Sequence, residues 1–200
     1  HKDFSKPMVI ETAGYSAHYS KKEITDLLNT NQIIVEHRFF GESRPETIPW
    51  KLLSSEQATR DYHRIVAKFK LLYKGKWIST GVSKGGESAL IYKQKYPDDV
   101  SVVVSYVAPL IDTQEDKRID KYLKNLGNKT CREKIRLFQR MLLLRREEVL
   151  NQFVTYARDS GMTFNEVSIE EALEYAALEF PFSFWQWGGK CENIPLHNAS

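Results

Sequence analysis

Cysteine is nearly absent. Cys131 and Cys191 are the only two in 200 residues, too few for a disulfide-stapled miniprotein and too far apart for a metal-binding pair. They form either one disulfide or two free thiols. No His/Cys/Asp/Glu grouping has metal-ligand spacing and no glycine-rich phosphate loop occurs, so neither a metal nor an organic cofactor is expected. Charge of one sign is scarce as well: the net value is +3, and no basic run is interleaved with aromatics, which argues against a nucleic-acid partner. Long hydrophobic runs are missing. The longest, at 100–111, is broken by serines and a proline and is too short to cross a bilayer, so no transmembrane segment is expected. Internal repeats and low-complexity tracts are absent. What remains is ordinary: 42% hydrophobic and 28% charged residues, enough chain for one sizeable domain or a core with an inserted cap.

In chain order, residues 6–12 read as a buried strand that ends in the turn Ala13-Gly14-Tyr15. Ser20, with Glu23 three residues later, reads as the cap of a short helix over 21–28. A continuous β-branched strand follows at 32–36 and runs into a loop dense in charge and aromatics, 37–45. Ser54 or Ser55 caps a long helix reaching about Tyr73, with Ala58, Tyr62, Ile65, Phe69 and Leu72 on one face. A strand at 76–80, a helix ending near Tyr96 and an apolar strand at 100–107 complete an alternation that predicts a parallel α/β sheet. From 114 to 179 the periodicity is helical throughout. The stretch 132–158 carries Ile135, Phe138, Met141, Leu142, Leu150 and Phe153 on one side. It reads as a helical subdomain, favoured as a cap inserted beyond a strand's carboxyl end.

At the junction of the third strand and its helix stands Gly81-Val82-Ser83-Lys84-Gly85, a G-x-S-x-G pattern in strand–turn–helix context. Glycines let the chain turn sharply and leave the central serine hydroxyl proud of the sheet. The Lys84 amide then faces the place where an oxyanion would form, aided by the helix dipole. A serine capping a plain glycine-rich turn has the same local pattern.

Further segments add specificity. Val35-Glu36-His37-Arg38-Phe39-Phe40-Gly41-Glu42-Ser43-Arg44-Pro45, the helix start Ser54 to Asp61, Thr80 to Gly86 and Tyr106-Val107-Ala108-Pro109 occur in that order. Together they closely resemble the secreted bacterial prolyl tri- and tetrapeptidyl aminopeptidases, serine peptidases of the α/β-hydrolase fold. A more distant likeness is to the lysosomal prolyl carboxypeptidase family. The resemblance implies an α/β-hydrolase core at 1–112, a helical cap at 113–188, and a return toward the core at 189–200. It also implies a secreted or periplasmic setting and a peptide substrate; oligomeric state is not implied.

By that resemblance Ser83 is the nucleophile and the amides of Lys84 and Tyr15 form the oxyanion hole. A substrate's free amino terminus needs an anion, for which Glu36, Glu42 and Glu11 are the candidates at strand ends. The competing expectation is an ion-pair network among Glu36, Arg38, Glu42 and Arg44. Phe39, Phe40, Trp50, Trp185 and Trp187 are candidate walls for a proline ring. The triad acid and histidine are not found: His37 and His63 precede the serine, His197 is terminal, and Asp112, Asp116 and Asp120 match no family motif. The chain is therefore expected to be an amino-terminal fragment, inactive alone. The alternatives are an esterase or other acyl hydrolase on the same scaffold, or a binding module that lacks the triad.

Overall fold

The apolar run near the amino end forms β1 (Met8–Thr12), buried along its whole length as an interior parallel strand must be. It is followed by α1 (Glu23–Leu27), β2 (Asn31–Val35), α2 (Ser55–Phe69), β3 (Trp77–Val82), α3 (Lys84–Lys95) and β4 (Val102–Tyr106). These belong to a computed structural model that describes residues 3–113 and 116–195; His197 and Asn198-Ala199-Ser200, one of two Asn-x-Ser/Thr glycosylation patterns in the sequence, lie outside them. The chain divides into two compact units, His1–Ile111 and Asp112–Ser200.

In the first unit all four strands pair in parallel, in the order β2-β1-β3-β4. The chain leaves β1 toward one side and returns to β3 on the other, so the strand order reverses between β1 and β3. Such a reversal opens a crevice at the carboxyl ends of the strands, where ligands bind in open α/β sheets. The loops after β1 and β3 meet there. Beneath them Met8, Ile10, Val35, Ala58, Tyr62, Val66, Trp77, Tyr92 and Val100 make one core, each large side chain contributing roughly 1.5–3 kcal/mol by leaving water.

Two helix boundaries differ from expectation. Ser20 does not cap α1. Its carbonyl is drawn away by the Gln32 amide group at 2.8 Å, its hydroxyl accepts from Lys22 at 2.8 Å, and Lys22 holds the cap position without a side-chain cap. Ser54 does cap α2, accepting from the Gln57 amide, but that helix stops at Phe69. Leu72 therefore leaves the apolar stripe and is 58% exposed.

The second unit holds α4 (Lys117–Asn125), α5 (Lys129–Leu144), α6 (Arg146–Asp159) and α7 (Ile169–Gln186). The amphipathic run at 132–158 is two helices, because the chain leaves helical geometry at Arg145. Asn128 of the second such pattern, Asn128-Lys129-Thr130, spends its side chain accepting the Cys131 amide at 2.8 Å. Cys131 and Cys191 form a disulfide with Cα atoms 5.4 Å apart. It anchors a core of Ile135 and Ile194 with Phe138, Phe180, Phe184 and Trp185 packed against it. Pro181 stands inside α7 and cannot donate to the carbonyl four residues back. That carbonyl, on Ala177, accepts Gln139 Nε2 of α5 at 2.8 Å instead.

Candidate active site

Ser83 fills the single position between β3 and α3 with φ 55° and ψ −125°. A non-glycine residue rarely takes a positive φ, and holding one there costs on the order of 1–3 kcal/mol. Surrounding hydrogen bonds fix it: the Ser83 amide donates to Tyr106 O at 2.9 Å and its carbonyl accepts Glu87 N at 3.0 Å. The flanking glycines are needed for space. A Cβ on Gly81 would overlap the Gly85 carbonyl, and one on Gly86 would lie 2.6 Å from Ser105 Oγ. The Ser83 side chain caps no amide of α3, and the residue is exposed.

The end of β1 is pressed against this turn. A Cβ on Gly14 would sit 2.8 Å from Gly85 N and 3.0 Å from Lys84 Cβ, and a Cβ on Gly85 would overlap the Thr12 carbonyl oxygen. Buried Thr12 ties the two segments, its Oγ1 donating to Gly85 O at 2.8 Å and contacting Thr80 O at 3.2 Å. Among the described residues the amides of Tyr15 and Lys84 donate to no protein acceptor. Two unengaged N–H groups thus stand on segments in contact beside Ser83, one of them at the start of a helix whose dipole favours negative charge.

The three candidate acids have different surroundings. Glu11 is only 8% exposed and pairs with Lys22 Nζ at 2.8 Å. The Glu36 carboxylate accepts Ala17 N at 3.0 Å and Ser43 N at 2.8 Å, which bridges the loops after β1 and β2. The Ala17 amide first, then Ser43, holds its pKa below the ordinary glutamate value. Gly41, at φ 48°, is required because a Cβ would fall on that carboxylate. Glu42 lies exposed in the 3₁₀ turn Gly41–Ser43. The ion-pair network expected among Glu36, Arg38, Glu42 and Arg44 does not form; Arg38 instead binds Asp61 at 2.7 Å and Leu52 O at 2.9 Å. Of the aromatic candidates, Phe40 packs edge-on against Tyr15 at 5.3 Å, Phe39 lies under Arg38, and Trp185 belongs to the second unit's core. Trp50 and Trp187 are exposed.

Among the described residues neither His37 nor His63 is hydrogen-bonded to Ser83. His37 is buried, its Nδ1 lies 3.1 Å from Arg38 O and must donate because a carbonyl only accepts, and desolvation lowers its pKa. His63 is paired with Asp99 at 2.7 Å, which also accepts Tyr92 OH at 2.8 Å, and its ring stacks on Tyr96 at 4.2 Å. This His–Asp pair was not foreseen, since its members are far apart in sequence. It lies before β4, whereas Ser83 lies level with the end of β4, about 13 Å of strand away. Asp116 caps α4 and binds Arg118.

The family model described as PS-10 peptidase S37 matches residues 1–199. The chain belongs to the peptidase S37 family. The prolyl tri/tetrapeptidyl aminopeptidase of Streptomyces mobaraensis is 38% identical to it over 206 residues, covering 100% of this chain and 43% of that protein. Two Caenorhabditis elegans proteins named as serine proteases are 32% identical over 131 residues and 30% over 105, covering 60% and 44% of this chain and 25% and 19% of theirs. This peptidase S37 chain therefore spans less than half the length of these relatives. No helix among its described residues is long and apolar enough to cross a membrane.

Proposed function

We propose that the whole protein is a proline-directed serine exopeptidase that releases tri- or tetrapeptides from amino termini through an acyl-enzyme, with Ser83 as nucleophile. The observation that carries this reading is Ser83 at positive φ between β3 and α3, with the unengaged Tyr15 and Lys84 amides on adjoining segments. We read the turn as a nucleophile elbow. Membership of a peptidase family and the name of the Streptomyces relative support the substrate class.

In this mechanism Ser83 Oγ adds to the scissile carbonyl carbon while a histidine takes its proton. The carbonyl oxygen, now anionic, accepts the Lys84 and Tyr15 N–H groups, and collapse expels the amine, which takes the proton from the histidine. Water repeats the sequence and frees the short peptide acid. We assign the histidine and its orienting acid to parts of the protein outside these 200 residues, because among the described residues no histidine is hydrogen-bonded to Ser83, His37 has a carbonyl rather than an acid at its Nδ1, and the His63–Asp99 pair lies before β4. Of the three acids, Glu42 has a carboxylate uncommitted among the described residues, and we assign the substrate ammonium to it. The Cys131–Cys191 disulfide supports an oxidising, extracytoplasmic setting.

The test is turnover by the full-length protein of a proline-containing tri- or tetrapeptide anilide, its amino-acetylated form and a short-chain ester. Turnover of the free anilide, with acetylation lowering kcat/KM by roughly a hundredfold, is the expected result. Turnover of the ester alone supports an acyl hydrolase instead, and binding without turnover supports a non-catalytic module.

A further inference from the structure

The side chain of Lys84 has no role in the mechanism above, which uses only its amide. Its Nζ lies 4.7 Å from the Tyr15 ring centroid and 4.9 Å from that of Phe40. The two rings meet edge-to-face, and Phe40 also packs against His37 at 5.7 Å and 80°. No carboxylate pairs with Lys84 among the described residues, and burial pushes its pKa below the ordinary lysine value, with Glu87 opposing the shift. A cation in the first turn of a helix also opposes the helix dipole. Stability alone therefore gives little reason for an ammonium at this place.

Its contacts suggest another reason. Lys84 follows β3, Tyr15 follows β1 and Phe40 follows β2, so one ammonium joins the loops at the carboxyl ends of three adjacent strands. On the β2 side the Tyr15 loop is already held, by His37 N donating to Tyr15 O at 3.0 Å and by Glu36 gripping the Ala17 amide. On the α3 side the Tyr15 residue itself is met by Lys84.

Resting on the assignment of Ser83 and its oxyanion donors, we infer that the Lys84 ammonium is a clamp over the Tyr15 and Phe40 rings that holds the Tyr15 amide in place to receive the oxyanion. Lys84 is then a positioning residue through its side chain. The interaction is electrostatic and directional, so a guanidinium can replace it and a thioether of similar length cannot.

The experiment compares Lys84→Met, Lys84→Arg, Tyr15→Leu and the Lys84→Met/Tyr15→Leu double variant in the full-length protein. Peptide anilide turnover and the rate of fluorophosphonate labelling at Ser83 are the readouts. Lys84→Met is expected to lower kcat and the labelling rate about tenfold with KM changed less than about twofold, and Lys84→Arg to recover to within about threefold of wild type. Tyr15→Leu keeps its backbone amide but loses the ring, so the double variant is expected within about twofold of the slower single one. The clamp is overturned if wild type labels at Ser83 and Lys84→Met does so equally fast, if Lys84→Met raises KM alone, or if the two losses multiply. Failure of wild type itself to label would overturn the nucleophile assignment, and the clamp with it.

Discussion

Gly85→Ala probes the joint on which the proposed oxyanion hole depends. A Cβ at this position would overlap the Thr12 carbonyl oxygen and lie 3.1 Å from the Gly14 amide nitrogen. Both are main-chain atoms, and Thr12 is fully buried, so no side-chain rotation relieves the overlap. The end of β1 and the start of α3 must separate by on the order of 1 Å, at a cost of about 1–3 kcal/mol for overpacking of this kind. The separation also strains the 2.8 Å bond from Thr12 Oγ1 to Gly85 O. The consequence for chemistry is larger. Tyr15 lies just beyond β1 and Lys84 opens α3, so the same displacement moves the two donors apart, and a misplacement of about 1 Å in a reacting site costs about a hundredfold in rate. The assay is urea unfolding of the variant beside its rate of fluorophosphonate labelling at Ser83 in the full-length protein, under conditions where the variant stays folded. A lowered midpoint with labelling slowed about a hundredfold is expected. A destabilised variant that labels at the wild-type rate would refute the idea that the β1 and α3 segments act together on the reacting carbonyl.

Val107, a β-branched residue at φ 45° and 80% exposed, is the other strained position beside Ser83; Val107→Gly should raise unfolding stability by about 1 kcal/mol in urea titration, and an unchanged midpoint would contradict the strain. Replacing both cysteines (Cys131→Ser with Cys191→Ser) opens a loop of 60 residues, worth about 4 kcal/mol in the loop-entropy treatment. Melting should then be lower and insensitive to reductant, whereas wild-type melting should fall when reductant is added. His37 is buried with its pKa held below the usual 6.5 by desolvation, so between those two values the unfolded chain binds a proton that the folded chain does not. Stability is therefore lost as pH falls from about 7 through that window, and His37→Gln should flatten the slope there. Glu36 and Glu56, both lowered, act only at more acid pH, below their usual 4.5.

How much of this was legible in the sequence depended on whether the cause was local. The buried strand β1 and the half-buried β2 announced themselves as short apolar and β-branched runs, and Ser54 as a cap, because these signals lie within a few residues. The Ser83 turn was visible for the same reason: its glycines and the flanking strand and helix are contiguous. Through-space competition was not visible. Ser20 failed as a cap because Gln32 takes its carbonyl, and the split at Arg145 was hidden because α5 and α6 both carry apolar faces. Pro181 within α7 leaves the Ala177 carbonyl without its helical donor, and Gln139 arrives from α5 to satisfy it. The Lys84, Tyr15 and Phe40 contacts, like the His63–Asp99 pair, join residues whose separation only the sheet topology closes. The roles of Glu36 and Glu11 were obscured similarly: amides and a lysine reach their carboxylates from other loops.

The most direct test is where a fluorophosphonate attaches. With the full-length protein, peptide mapping by mass spectrometry should find one adduct, on Ser83, and Ser83→Ala should abolish it while leaving the fold intact by circular dichroism. An unlabelled protein under conditions where a known serine hydrolase reacts, or an adduct on another residue that survives Ser83→Ala, would contradict the assignment of Ser83 as nucleophile.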